Sequence, residues 1–250
     1  ITFFSKKKFK RNLTTVLKIS KKNDYLISIF SRIIVPLELL KKFKKHCLNI
    51  HPGVLPFYPG LNCVSGAIYN NEKYTGVTMH EMSKKPDQGR ILFIKKIKIR
   101  NSYTPLIIMP KLRIATISLL KKFSSYIKKD KTKFYFKKNN IKKRINFPKF
   151  IPNDGLINQN NTSKDIFRTY KASMFGFFKS EWGNINIIFK KKKYFFRPIA
   201  SFKQNSKIKN KKFLEKKEES FYLNLKDKKI KIEILNNADN ISKDLNNNLL

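Results

Sequence analysis

Apolar positions recur along this chain with two different spacings, and each change of spacing marks an element. Tyr25-Leu-Ile-Ser-Ile-Phe30, after Asp24, is a continuous apolar run of strand length. A run without polar alternation predicts a strand buried on both faces, as in a parallel sheet covered by helices. Pro36 opens a helix whose apolar side is Leu37, Leu39, Leu40 and Phe43, since the N–H that proline lacks has no partner in a first turn. His46 to Ile50 is the next predicted strand. Strand, helix and strand in succession imply a crossover and an α/β sheet.

The same reading continues down the chain. It predicts a helix over Asn62 to Tyr69 with Val64, Ala67 and Ile68 inward, a turn at Asn70-Asn71-Glu72, and a strand from Thr75 to His80. A polar loop, Ser83 to Gly89, leads to a strand from Arg90 to Ile99. A long helix then runs from Tyr103 to Tyr126, with Pro110 confined to its first turn or marking its start. Ahead of Tyr25, Ile1 to Ser5 reads as a short strand. Lys6 to Lys22 reads as a basic surface helix carrying Leu13, Val16, Leu17 and Ile19. Residues 1–127 thus form one α/β domain and residues 128–150 a basic, solvated linker. Residues 151–236 form a small β-rich module, and residues 237–250 an Asn-rich disordered tail. The module opens with a helix over Ser163 to Ala172, capped by Ser163 or Thr162, with Ile166, Phe167 and Tyr170 at helical spacing. Alternating residues in Ile185 to Phe196 and Phe221 to Ile234 supply its strands.

Composition narrows the functional classes. With 250 residues, 41% of them hydrophobic, and 22 Phe, the chain can bury a core, which excludes wholesale disorder. The net charge of +40 points to a nucleic-acid or other anionic partner, or to a compositional bias that raises Lys, Asn, Ile and Phe together. The even spread of Lys along the chain favours the bias. Cys47 and Cys63 have no CxxC spacing and read as buried thiols in a reducing compartment, with no metal site indicated. No apolar run reaches the roughly 18 residues that cross a bilayer. The apolar start Ile1-Thr-Phe-Phe precedes its lysines, the reverse of a secretory leader. The expected location is cytoplasmic, without membrane insertion. A start at Ile1 rather than Met carries the expectation of an incomplete front end.

One stretch carries candidate chemistry. Asn49 and His51 are two residues apart, which in an extended strand puts both side chains on one face. The prolines and glycines of His51-Pro-Gly-Val-Leu-Pro-Phe-Tyr-Pro-Gly60 hold the following loop in a fixed path. Asp87, in the loop before Gly89, can present a carboxylate to the same sheet edge, where open α/β sheets bind ligands. An amide donor, an acid/base group and an orienting charge make a plausible small polar site.

These residues resemble a known signature. Asn49-Ile-His51-Pro-Gly-Val-Leu-Pro56, Gly60, Gly76-Val-Thr78 and Asp87-Gln-Gly89-Arg-Ile91 look like the motifs of the folate-dependent formyltransferases, over roughly residues 24 to 125 and in the family's order. The resemblance implies a mostly parallel, Rossmann-like sheet, here apparently without its first strands. It implies transfer of a formyl group from 10-formyltetrahydrofolate to a primary amine, with no metal. Asn49, His51 and Asp87 match the family's catalytic trio. Asn49 and protonated His51 would stabilise the oxyanion of a tetrahedral intermediate, and Asp87 would orient His51 and help take the amine proton. Arg32, Ile33 and Ile34 fall at the family's pterin-facing strand end, with Ser83, Lys84, Lys85 and Pro86 flanking that pocket. Pro56, Tyr58, Gly60 and Asn62 belong to the loop where acceptor choice is read.

The acceptor classes this resemblance allows are a nucleotide-linked amino sugar and initiator methionyl-tRNA. Pro59-Gly-Leu-Asn-Cys63 stands where the tRNA enzymes usually carry Arg-Gly-Ala-Ala-Pro, which favours the small amine. Pro152-Asn-Asp-Gly-Leu-Ile157 and Ser163 to Ala172 are similar to the linker and first helix of the family's C-terminal module, which occurs with both acceptors. A non-catalytic, basic RNA-binding relative is the reading from outside the enzymes.

Overall fold

The computed structural model describes residues 18, 25–31, 33–43, 47–128, 135–145, 147–175, 182–203 and 212–236. The chain divides into two units. The first comprises Ile1–Ala67, Glu72–Asn101 and Ile107–Phe147, and the second Ile68–Asn71, Ser102–Leu106 and Pro148–Leu250.

The first unit is built on a four-stranded sheet in the order β1-β2-β3-β4. Its strands are β1 (Leu26–Ile29), β2 (Cys47–His51), β3 (Tyr74–Glu81) and β4 (Ile91–Lys98). Helix α1 (Leu37–Phe43) connects β1 to β2, and those two strands are parallel, as the strand-helix-strand pattern implies. The expectation of a mostly parallel sheet fails among the described strands, because β2–β3 and β3–β4 are antiparallel. Parallel neighbours need a crossover, whereas β3 and β4 are joined by a loop too short to carry a helix across the sheet. The α/β class stands. β1, expected to be buried on both faces, is only partly covered and lies at the edge of the described sheet, with Ile29 exposed.

Leu39, Phe43 and Cys47 form a core cluster, with Leu26, Ile33, Val35, Leu40 and Met82 packed against it. Helix α2 (Cys63–Tyr69) contributes Cys63 and Ala67 to a second cluster with Tyr58, against which Ile99, Ile145 and Phe147 pack. Helix α3 (Pro105–Lys128) starts on Pro105 rather than on Pro110, which lies past its first turn. There Pro110 removes one backbone bond, to Leu106, without ending the helix. Ile108, Leu112, Ala115, Leu119 and Phe123 are the buried stripe of α3, at the spacing of one helix face. Phe93 of β4 meets Tyr126 edge to face.

Residues 135–147, expected as solvated linker, are a correction, because they belong to the first unit. Lys137 forms an antiparallel bridge with Ile91, the Ile145 N–H donates to the Phe57 carbonyl, and Asn139 is buried. High lysine content hid apolar anchors at Ile145 and Phe147.

The second unit is a five-stranded antiparallel sheet ordered β5-β6-β9-β8-β7. Its strands are β5 (Asn186–Phe189), β6 (Lys192–Lys203), β7 (Leu214–Lys217), β8 (Ser220–Asn224) and β9 (Lys228–Ile234). β7 has no counterpart in the sequence reading. Helix α4 (Ser163–Ser173) is capped by Thr162, whose hydroxyl accepts from the Asp165 N–H. The Ser163 N–H and hydroxyl donate to Asp227, anchoring the helix start. The expected strand Ile1 to Ser5, the helix Lys6 to Lys22 apart from Lys18, and the tail 237–250 lie outside the described residues.

Candidate active site

The site grows from strand pairing. β2 places Asn49 and His51 on one face, and its antiparallel register with β3 sets Asn49 opposite His80 and His51 opposite Thr78. His51, Thr78 and His80 are all buried, so each needs a hydrogen-bond partner. The Thr78 hydroxyl donates to the Gly53 carbonyl at 2.7 Å and accepts from the Leu55 N–H at 3.1 Å, fastening the loop after β2. That loop passes through a cis Leu55–Pro56 bond. It returns the Tyr58 carbonyl to 2.6 Å from His51 Nε2. A carbonyl only accepts, so Nε2 carries the hydrogen and Nδ1 is the free nitrogen. Gly53 makes this approach possible, because a Cβ there would lie 2.8 Å from both His51 Nε2 and the Tyr58 carbonyl oxygen.

The loop between β3 and β4 folds back over the same face. At its base the Glu81 N–H donates to the Arg90 carbonyl at 2.9 Å. The Arg90 guanidinium bridges the Glu81 carboxylate at 2.6 and 2.7 Å. Gly89 packs so tightly that a Cβ would lie 1.9 Å from the Glu81 carbonyl oxygen. Asp87 takes a left-handed φ of 54°. Its Oδ2 accepts from the Gly60 N–H at 2.8 Å and lies 3.6 Å from His51 Nδ1. Its Oδ1 lies 3.4 Å from His80 Nε2 and 3.5 Å from Asn49 Nδ2. His80 Nδ1 donates to the Glu81 carbonyl at 2.7 Å, so its Nε2 accepts from the Asn49 amide at 3.1 Å. The carboxylate expected at the sheet edge therefore sits over the sheet face.

Burial alone would raise the Asp87 carboxyl. The neighbouring His80 and His51 rings and the Gly60 N–H outweigh it and hold the group at about 2. Burial lowers His51, with His80 and Arg144 acting in the same direction against Asp87 and the Tyr58 carbonyl. At neutral pH the pair is a carboxylate beside a neutral imidazole. The expected protonated His51 is thereby corrected: a fully buried ring disfavours the cation.

Asn49, His51 and Asp87 come together as the sequence implies. His80 was missed as a member of the site, and Gly60, expected in the acceptor loop, enters it through its N–H. Thr78 and His80, at alternate positions of β3 on the face that meets Asn49 and His51, were the available signal. Of the other expected residues, Ile33 packs into the cluster around α1, Ile34 is 76% exposed, and Arg32 lies outside the described residues. Ser83, Lys84, Lys85 and Pro86 form the exposed tip of the Asp87 loop, the Ser83 hydroxyl donating to the Lys85 carbonyl. In the acceptor loop Pro56 is half-buried, and Gly60 and Asn62 have positive φ. Tyr58 is a further correction: its ring is buried and its hydroxyl donates to Glu72, so it serves the site through its carbonyl. Cys63 donates its thiol to the Pro52 carbonyl and burial pushes it up to about 12, leaving it a packing residue. Among the described residues no group of His, Cys, Asp and Glu could hold a metal ion, and no helix is long and apolar enough to cross a membrane.

Comparison with known proteins agrees with this geometry. Residues 2–122 match the family model described as formyl transferase. The bifunctional polymyxin resistance protein ArnA of Wigglesworthia glossinidia brevipalpis is 34% identical over 166 residues, 64% of this chain and 24% of that protein. The GDP-perosamine N-formyltransferase of Brucella melitensis is 38% identical over 81 residues, 32% of this chain and 31% of that protein. The chain thus spans a quarter to a third of the length of these two curated relatives. In fold it is similar to the N-formyltransferase of Helicobacter canadensis solved with folinic acid and dTDP-3-aminofucose. That likeness has a TM-score of 0.59 and 24% identity, covering 85% of this chain and 74% of the other. Residues 2–122 thus carry a likeness to the folate-dependent formyltransferases, in their motifs, in the meeting of Asn49, His51 and Asp87, and in these matches.

Proposed function

We propose that this chain transfers a formyl group from 10-formyltetrahydrofolate to the primary amine of a nucleotide-linked amino sugar. The observation that carries the reading is the convergence of an amide donor and an imidazole nitrogen on one carboxylate: Asp87 lies 3.5 Å from Asn49 Nδ2 and 3.6 Å from His51 Nδ1. Formyl transfer needs those three groups. A bond forms from the amine nitrogen to the formyl carbon, the bond from that carbon to N10 breaks, the amine loses a proton and N10 gains one.

The residues divide this work by their partners. Asn49 Nδ2 is held at 3.1 Å by His80 and only loosely, at 3.5 Å, by Asp87. The looser hydrogen is the one a formyl oxygen takes as negative charge develops on it. His51 keeps Nε2–H on the Tyr58 carbonyl and offers Nδ1 to the amine proton. Asp87, ionised, stabilises the imidazolium that results. The co-substrate supplies the activated formyl carbon, and this donor set fits it. Ser31 and Ile34 lie exposed beyond the end of β1 and would flank its ring, with Ser83 to Pro86. For the acceptor, the support is the loop Pro59 to Cys63, unlike the tRNA enzymes, together with the GDP-perosamine relative. The expected setting is the cytoplasm.

The test incubates the full chain with 10-formyltetrahydrofolate and, in parallel, GDP- and dTDP-linked amino sugars and methionyl-tRNA. The expected result is a formylated sugar with an equal yield of tetrahydrofolate. Product from methionyl-tRNA alone overturns the acceptor. No product from any acceptor, with folded protein, overturns the reaction.

A further inference from the structure

The groups that make up the site all come from residues 49–87, yet the backbone of the Asp87 loop is held by residues from a different part of the chain. One amide group, Asn139 Nδ2, donates to the Asp87 carbonyl at 3.0 Å and to the Gly89 carbonyl at 3.1 Å. An amide nitrogen has two hydrogens, and both are spent on the two carbonyls that flank Gln88. The rotation of this amide is fixed. Reversing it would set its oxygen against two carbonyl oxygens, and that oxygen is buried without a hydrogen-bond partner.

Asn139 is delivered there by strand register. Ile91 and Lys137 exchange both backbone bonds, at 2.8 and 2.7 Å, as an antiparallel bridge. Two residues back along one chain and two forward along the other, Gly89 faces Asn139. The Arg90 guanidinium, already paired with Glu81, lies 4.7 Å from the centre of the Phe136 ring and covers the bridge from one side. Residues 136–139 lie outside the 2–122 stretch that the family model matches.

We infer that Asn139 is a positioning residue for Asp87: its amide ties the two carbonyls around Gln88, and so holds Asp87 in the left-handed conformation that aims its carboxylate at His51, His80 and the Gly60 N–H. The inference deepens the proposed formyl transfer and rests on it for its kinetic consequence, though not for its structural one. Release of the amide lets residue 87 relax toward negative φ, which L residues prefer, and swings the carboxylate away from His51. The other charged or titratable groups coupled to this cluster are His80 on β3, Cys63 on α2 and Arg144, whereas the Asn139 amide donates to the Asp87 and Gly89 carbonyls.

The test compares Asn139→Ala, Asn139→Asp and Asn139→Gln with the parent in the full chain. Displacing a catalytic group by about 1 Å can cost on the order of a hundredfold in rate. Asn139→Ala is therefore expected to lower kcat about ten- to a hundredfold, with KM for both substrates within about twofold. Asn139→Gln, which keeps the donor, recovers part of the loss. Asn139→Asp has the same size and no amide hydrogens, and falls at least as far as the alanine variant. It carries the test should alanine fail to fold. Independently of turnover, proton titration of the His51 ring signal should shift in Asn139→Ala toward the value seen in Asp87→Asn. Parent kcat with a parent His51 titration overturns the inference, whatever the change in Tm. A shifted His51 titration in a protein whose parent transfers no formyl group would sustain the positioning role and overturn the proposed reaction.

Discussion

The sheets of the two units bury polar side chains for different ends. In the second unit Asn186 and Asn224 are buried, and each gives its amide to backbone: Asn186 to the Asp154 carbonyl, Asn224 to the Lys212 carbonyl and, at a longer 3.3 Å, to the half-buried Glu215 carboxylate. They tie loops to strands. In the first unit His51, His80, Asn49 and Asp87 face one another, side chain to side chain, with titratable groups at three of the four positions. Buried polarity alone does not mark a site. Buried titratable groups that face each other are the stronger mark, since burial with a specific charge partner perturbs proton affinity. Asn139 belongs by its bonding to the first kind and by its place to the second.

Asp87→Asn should break the comparison most severely. It removes the charge that His51 faces and leaves the volume unchanged. By analogy with the loss of one preorganised electrostatic group, formyl transfer should fall by about a hundred- to a thousandfold, with a far-ultraviolet spectrum like the parent's. Parent activity in this variant would remove the trio from the mechanism. Asn49→Ala belongs in the same range, and His80→Gln, one bond further from the chemistry, should cost about tenfold. Steady-state kcat and KM on one acceptor separate the three.

The counterpart in the second unit is Ile230→Ala. Ile230 is fully buried, opposite Leu223 on β8 and Ser201 on β6. Truncating such a side chain costs about 2–5 kcal/mol of stability. Urea denaturation should register that loss in the second unit, while kcat per folded molecule stays at the parent value. A kcat that falls as far as in Asp87→Asn would erase the distinction between the two sheets.

Sequence pattern made one part of the site legible and hid another, for physical reasons. Asn49 and His51 could be placed on one face because a strand's period is two, and the apolar run before them located β1. Strand direction could not be read in the same way. β2 pairs antiparallel with β3, whose middle six residues are buried on both faces, and burial on both faces does not encode strand direction. His80 was therefore left without a role, as its meaning depends on lying opposite Asn49. The protonation of His51 was misjudged because charge state follows burial, which periodicity does not measure. The segment 135–147 was misread because lysines flank its few anchoring residues, and one bridging pair, Ile91 with Lys137, decides its course. In the second unit the alternation was strong enough to give β6, β8 and β9. β7, four residues with two lysines, carries too little pattern to be seen.

A smaller effect is expected with pH. Asp87 is held at about 2 in the folded chain against an ordinary value of 3.8. The shift contributes roughly 2 kcal/mol of stability at about 1.4 kcal/mol per pH unit. Because the folded value is depressed, that contribution is fully present above pH 3.8 and is lost as the pH falls through about 2. His51 acts higher on the scale. Its folded value lies below 6.5, so under pH 6.5 the unfolded chain takes up a proton that the folded chain refuses, and stability declines as pH falls. Denaturation curves from pH 2 to 7 should show both slopes in the parent. Asp87→Asn should have a shallower lower slope, since Glu215 and Asp227 are also depressed and keep their share, and an unchanged lower slope would detach Asp87 from the cluster.

The smallest expected effect sharpens the comparison from the other side. Arg197 on β6 and Glu233 on β9 are directly opposite each other, joined by Arg197 Nε at 2.8 Å and by a second contact from the same guanidinium. Both side chains are about half exposed, 47% and 48%, so water screens the pair and competes for each partner. Exposed pairs of this kind couple by about 0.2–1 kcal/mol. A double-mutant cycle of Arg197→Gln and Glu233→Gln, read by urea denaturation, should give a coupling in that range that shrinks further in 1 M salt, where the Debye length is about 3 Å. Formyl transfer should be unchanged in all three variants. A coupling of several kcal/mol would mean that charge also builds the second sheet. A coupling under about 1 kcal/mol leaves its stability with Ile230, Ile232 and Leu223, and leaves the facing of buried titratable groups as the property that sets the first sheet apart.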